Sequence, residues 1–501
     1  MSTKKKVFYG ISVDYVGTIL VAIAGFVVVP FYFKYVSVAE YGVWLAIQGV
    51  IGMLSVAEFG GDVYLITKIS DDSVFNDASA VTAQISTMIL LKSVLSVLFI
   101  VSGVVVFFSL DRIISSGIDV SIVNRIFVLA LAVLVIGTFS STLSTILSAR
   151  HHYSLVNSIT SFFAIFAAAL PLLFLAQGLG VLSFALALFI SVVVQALLLL
   201  GSVMLKYPTL RVKLSSVSIG SIKDTYNYSK KFYFLRLAAM FRTNYMVLAI
   251  SHLTSASYVT IYTITNRIPS VVPMFFSKIG TGLFPTFAKF YAAGDMAKIK
   301  SIYLRLAKIV WRLVLFFFIL VVGLNGDFVR LWVGTDKFGG FWMMVFLAVN
   351  MLVLSVNNPL GTIVYSTGKY EKWPQWAVVE IFLSVVASYV CAKIWGVDGI
   401  VFAFMLASMV TAVYLFQMVN RVLGITVREF FRNTLSYALL PNVVTICLMS
   451  LLLVFGIHTW RSMIFAVVAL TVSHVLFYEG VKVFLSKEVG FKKKILAALQ
   501  I

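Results

Sequence analysis

Apolar runs of about 20 or more residues follow one another along almost the whole chain, and no other feature constrains the fold as much. A helix that crosses a bilayer needs roughly 20 mostly apolar residues. Inside lipid the backbone must satisfy its own hydrogen bonds, which a helix does within one segment. Fourteen stretches qualify, near 8–32, 43–66, 80–109, 122–147, 154–176, 179–205, 233–252, 258–287, 309–333, 341–366, 376–396, 399–419, 434–455 and 461–485. The expected fold class is an all-α polytopic membrane protein with about fourteen transmembrane helices. Composition agrees: 61% of residues are apolar and 12% charged, with a mean hydropathy of +1.03. Soluble domains carry about 25% charged residues, so too little polar surface remains to cover a water-soluble globule. Asp14 interrupts the first run, which ends in Pro30-Phe31-Tyr32-Phe33 without a small-residue cleavage site, so it reads as a retained helix.

The net charge of +20 would suggest nucleic acid in a soluble protein. Here its placement speaks for topology. With both termini cytoplasmic, the clusters Lys4–Lys6, Lys206 to Lys231, Lys289 to Lys308 and Lys492–Lys494 all fall on the inner side. Lysine and arginine retained on that side set orientation, and a minor share attracts anionic lipids. No nucleic-acid partner is expected.

The connections are too short for a soluble catalytic domain; the longest, 206–232, is basic. Cys391 and Cys447 lie in apolar runs, so neither a disulfide framework nor a zinc cluster is expected. His151-His152 lacks the i, i+4 spacing of a helical zinc site, and no phosphate-cradling loop occurs. The expectation is a protein that is not an enzyme, without a cofactor or metal, whose work is done within the helices.

A register shift of 217 residues aligns Val36-Ser37-Val38-Ala39-Glu40-Tyr41 with Leu253-Thr254-Ser255-Ala256-Ser257-Tyr258. Close to the same shift, Gly180-Val181 meets Gly396-Val397, and Leu147-Ser148-Ala149-Arg150 meets Tyr365 to Lys369. This predicts two pseudo-symmetric six-helix lobes, 1–205 and 233–419, joined by a basic cytoplasmic linker at 206–232. A further helix pair and basic tail occupy 420–501.

Ionisable groups inside spans cost about 2.5–3.5 kcal/mol each on insertion scales and read as functional by default. Span seven carries Arg242 near its middle and Arg236 nearer the cytoplasm. In span eight, at 100° per residue, Thr260, Thr263, Asn266, Arg267, Ser270, Ser277, Lys278 and Thr281 fall within a wedge of about 120°. Pro269 and Pro273 are expected to kink this span. The acidic residues gather early. Asp14 shares a face with Thr18 and Gly25, and Glu58 and Asp62 share one with Ser55 and Gln48. Asp14, Glu58 and Asp62 read either as sites of H+ or Na+ coupling or as charge pairs for the cations. Lys92 and Arg312 read as isolated, and Glu380 and Glu479 are given no role.

The residues Gly10, Pro30, Val38-Ala39-Glu40-Tyr41-Gly42-Val43-Trp44 and Ala57-Glu58-Phe59-Gly60-Gly61, with the Leu147-Ser148-Ala149-Arg150 exit, give the chain its family likeness. It resembles the polysaccharide-biosynthesis flippases, the lipid-linked oligosaccharide (O-antigen type) translocases of the MOP transporter superfamily. The resemblance implies a MATE-like, V-shaped pair of lobes. It also implies a polyprenyl-pyrophosphate-linked glycan as cargo, turned to the outer leaflet of a bacterial plasma (inner) membrane, with a polysaccharide polymerase and a chain-length regulator as partners. A pyrophosphate needs cations, and arginine supplies directed charge-assisted hydrogen bonds. Arg242, Arg267, Lys278, Arg236, Asn266, Thr263 and Ser270 are therefore the expected cargo-binding set. The alternative is a cation-coupled drug or metabolite exporter of the same superfamily.

Overall fold

The computed structural model describes residues 3–58, 60–114, 117–217, 219–367 and 373–478. Among these, every regular element is helical. Two compact units can be distinguished. The first comprises Met1–Ile261 with Ala377–Ile400, and the second comprises Tyr262–Trp376 with Val401–Ile501. The first unit holds α1 (Thr3–Tyr32), α2 (Val38–Leu54), α3 (Gly61–Ile69), α4 (Asp72–Phe75), α5 (Ala78–Phe107) and α6 (Leu110–Ile113). It continues through α7 (Val120–Ala149), α8 (Tyr153–Ala169), α9 (Pro171–Ala176), α10 (Leu182–Lys206), α11 (Ile219–Leu253) and the start of α12 (Ala256–Thr265). The second unit holds α13 (Arg267–Ala292), α14 (Met296–Val333), α15 (Gly340–Thr367), part of α16 (Trp373–Leu423), α17 (Val427–Phe430), α18 (Ser436–Phe455) and α19 (Trp460–Tyr478).

Eleven stretches among the described residues are long and apolar enough to cross a membrane, against the fourteen expected. The shortfall lies at three places. Gln375–Leu423 counts once, although Gly396 within it has φ 58 and ψ −132, outside the helical region. The other two are α11 and α12–α13, whose charged and hydroxyl residues dilute their apolar windows. Gly180 and Gly396, aligned by the internal register, share a left-handed backbone at φ 52 and φ 58. Only glycine adopts that conformation without a steric penalty.

The family motif is explained by local physics. Ser37 caps α2 by accepting from the Glu40 N–H, and Glu40 accepts from the Ser37 N–H at 2.7 Å, a reciprocal capping box. Tyr41 packs edge-on to Phe184, at 5.5 Å between centroids, and tilted against Tyr32 at 6.0 Å. Gly42 is a close approach: a Cβ there would lie 1.8 Å from the Ala256 carbonyl oxygen. Gly52, on the same face, would meet the Asn244 side chain at 2.1 Å. Small residues let membrane helices approach in this way. Arg150 of the exit motif pairs with Asp72 at 2.7 Å and lies over the Phe75 ring at 4.1 Å.

In the second unit, α13 packs along α15 where Gly280 faces Pro359; a Cβ on Gly280 would sit 2.9 Å from the Pro359 Cα. Val272, Phe276, Tyr303, Val310 and Leu360 belong to the buried core around this seam. A second cluster joins α14, α18 and α19 through Phe316, Leu324, Met449 and Leu470. Arg312, read from sequence as isolated, is not: its guanidinium stacks 3.6 Å over the Tyr478 ring, and its carbonyl accepts from Asn442.

Candidate functional site

Two groups of charged side chains on helices take shape, one in each unit. In the first, the expected continuous span 43–66 is broken. The helix ends at Leu54, passes through a 3-10 turn at Ser55–Ala57 and restarts at Gly61, after Gly60 at φ 68. The break places Glu58 between the two helices and Asp62 in the first turn of α3, where the helix dipole favours a carboxylate.

Lys92, on α5 and only 3% exposed, reaches into this break. Its ammonium contacts the Glu58 carboxylate, Asp62 Oδ2 at 3.0 Å and Ser141 Oγ at 3.2 Å. Ser141 in turn donates to Asp62 Oδ2 at 3.0 Å. The three ammonium donors are thus matched by three oxygens, so the reading of Lys92 as isolated is corrected. Ser141 was missed. The signal for this cluster was a lone mid-span lysine in a half that also holds two intramembrane carboxylates. Asp14 lies half-buried on α1, and the Thr18 hydroxyl turns back to the Asp14 carbonyl at 2.8 Å.

In the second unit, the expected stripe is divided at Asn266, whose φ −80 and ψ 0 end α12 and precede α13. The cause is Pro269. It stands in the first turn of α13, where a missing N–H costs little, so it opens that helix rather than kinking it. The carbonyl it leaves without a helical donor belongs to Thr265. Asn325 of α14, 1% exposed, donates its Nδ2 to that oxygen at 2.9 Å, and the Thr265 hydroxyl accepts from the Gly339 N–H at 2.8 Å. Sequence reading missed Asn325, although a single amide after a long apolar run was its signal. Pro273 lies inside α13 as expected, together with Pro285.

Along α13, Arg267 and Lys278 are half-buried and Ser270 is exposed, its hydroxyl donating to the Arg267 carbonyl at 3.0 Å. Asn266 donates to the Tyr262 hydroxyl at 3.2 Å, and Thr263 is half-buried on α12. Val272 and Phe276 of the same helix face the core. Thr260, expected in the stripe, is instead buried and donates to the Val38 carbonyl at 2.7 Å. The side chains of Arg236, Arg242 and Thr281 lie outside the described residues; their backbone is helical. The structure therefore brings Glu58 and Asp62 together on Lys92, and strings Arg267, Ser270 and Lys278 along one helix.

A fold of this kind is known. Lipid II flippase MurJ in an inward closed conformation superposes with a TM-score of 0.72 at 10% identity, covering 93% of this chain and 99% of that one. An inward-facing multidrug resistance MATE transporter of the MOP superfamily gives 0.62 at 16% identity, covering 80% and 98%. A MOP superfamily transporter from Pyrococcus furiosus gives 0.55 at 16%, covering 85% and 96%. A search of curated proteins finds no match. The family model for "Polysaccharide biosynthesis protein" matches residues 7–291. That match takes in more than half of the sequence, and the chain belongs to the polysaccharide biosynthesis protein family.

Proposed function

We propose that this chain flips a polyprenyl-pyrophosphate-linked oligosaccharide from the cytoplasmic to the outer leaflet of a bacterial plasma membrane, for the synthesis of a surface polysaccharide such as O-antigen, capsule or exopolysaccharide. The observation that carries the reading is the face of α13. Within a chain of this family, Arg267 and Lys278 stand on one intramembrane helix with the Ser270 hydroxyl between them. Cations there can hold a diphosphate by charge-assisted hydrogen bonds, and hydroxyls and amides beside them can serve sugars. Several moderate sites in sequence allow release, where one deep site would trap the anion. Arg236 and Arg242 extend the set on α11. The lobes 1–205 and 233–419 alternate access around the cargo. Both termini lie in the cytoplasm, and a polymerase and a chain-length regulator receive the product. The reading is of a transporter and not of an enzyme.

Asp14, Glu58 and Asp62 serve H+ or Na+ coupling or charge pairing in this proposal, and Lys92 engages the last two. A cation exporter would want those carboxylates available to its substrate. Their engagement by Lys92 lowers that alternative. The test is transbilayer movement of a labelled polyprenyl-pyrophosphate oligosaccharide in liposomes, with the wild type beside Arg242→Gln and Arg267→Gln. Movement that depends on the protein and falls in the variants at equal abundance supports class and site together. Movement unchanged in both variants keeps the class and discards the site, and export of a cationic dye in its place moves the exporter reading ahead.

A further inference from the structure

A cavity of about 330 Å³ opens in the second unit, away from the polar face of α13, among α14, α15, α16 and α17. On α14 it runs from Tyr303 to Trp311, and on α15 from Leu352 to Leu360. Eight residues of helix rise about 12 Å. The cavity is thus elongated, a slot that suits a hydrocarbon chain rather than a compact ligand. Its walls are almost wholly apolar side chains. Its rim is apolar yet uncovered: Val413 is 55%, Val427 66% and Phe431 52% exposed. In a membrane protein such a rim faces lipid.

Charge flanks the rim in sequence. Arg428 and Arg432 are exposed, and each follows directly on a rim residue, Val427 or Phe431. The carboxylate on the same short segment, Glu429, is engaged by Lys300 at 3.0 Å. Lys308 nearby lies 4.6 Å over the Tyr437 ring. The backbone here departs from the α-helix into a π turn over Phe431–Leu435, which carries Phe431 and Leu435 to the cavity. Such turns recur at functional positions in helices.

We infer that this slot binds one acyl chain of an anionic membrane phospholipid whose headgroup is held by Arg428 and Arg432. Apolar length fixes the chain, and the arginine pair selects the charge, as basic residues at a membrane surface do. The site is separate from the cargo face on α13 and does not depend on the flippase reading.

The experiment uses the full chain in phosphatidylcholine nanodiscs containing traces of a phospholipid with a photoactivatable acyl chain, as phosphatidylglycerol or as phosphatidylcholine. Cross-linked peptides are then mapped. Phosphatidylglycerol should label peptides spanning Leu352 to Leu360 and Ala412 to Val419 about tenfold more than phosphatidylcholine. The surface double variant Arg428→Gln, Arg432→Gln should bring the two lipids level while leaving the protein's abundance and monodispersity unchanged. Equal labelling of the wild type by both lipids overturns the inference. So does labelling that a polyprenyl phosphate chases out while phosphatidylglycerol does not, which would give the slot to the cargo's tail instead.

Discussion

The Lys92 cluster and the α13 face both place charge on helices, and they are built on different plans. Around Lys92 each charge is met at close range by its complement, at a helix break that leaves Lys92 3% exposed and Glu58 and Asp62 14% and 19% exposed. Along α13 the charges are alike, spaced by turns of helix and half-buried, with hydroxyls between them. The first plan holds a structure together, because a buried ion is tolerated only beside its partner. The second sets like charges and hydroxyls in a line along one helix. The same residue types on largely apolar helices are thus arranged in two different ways.

Four experiments press on that contrast, beginning with the largest expected effect. Lys92→Met leaves two carboxylates facing each other and should destabilise the fold by about 3–5 kcal/mol, read as a lower melting temperature in detergent. Adding Glu58→Gln and Asp62→Asn should recover most of the loss. An unchanged melting point in the single variant would remove the structural role. Arg267→Gln should do the reverse, leaving the melting point in place while transport falls about 10–100-fold, the worth of one or two charged hydrogen bonds. A matching drop in stability would make Arg267 another structural ion.

Asn325→Leu tests the break itself. It strips the Thr265 carbonyl of its donor, and the expected cost is about 1–3 kcal/mol without loss of cargo binding. The smallest effect is expected at Asp71, outside the spans. Its exposed carboxyl is held below the ordinary range by hydrogen bonds from the Ser73 hydroxyl and N–H. A lowered native pKa means that its stabilisation is present above the unfolded value, near 4, and is lost as pH falls through the native one. Amide protection of α4 should decline over that interval in the wild type and stay flat in Asp71→Asn.

Much of this was legible in the sequence, and what was not has a physical reason. The helices follow from runs of apolar residues, and the breaks at Gly60 and Gly396 follow from glycines that take a positive φ. The polar stripe emerged from a periodicity of 3.6, yet its division at Asn266 did not. Proline constrains the residues before it as well as itself, and position within the first turn decides whether it opens or kinks a helix. Thr260 satisfied the stripe's angle but meets the Val38 carbonyl, since angle alone names no neighbour. Lys92 was passed over because its partners stand 34 and 30 residues away, on the other side of a helix break. Local pattern reports which face a residue shares, and only the packed chain reports what lies across from it.

The glycines of α2 have a further consequence. At Gly42 a hydrogen fits against the Ala256 backbone and a methyl group does not, while at Gly52 a methyl would have to push aside the end of the Asn244 side chain, so the seam sorts substitutions by volume. The demand at Gly42 is set by helix packing alone. Kinship recognised through Val38-Ala39-Glu40-Tyr41-Gly42 is accordingly kinship of carpentry: it says how the helices are joined.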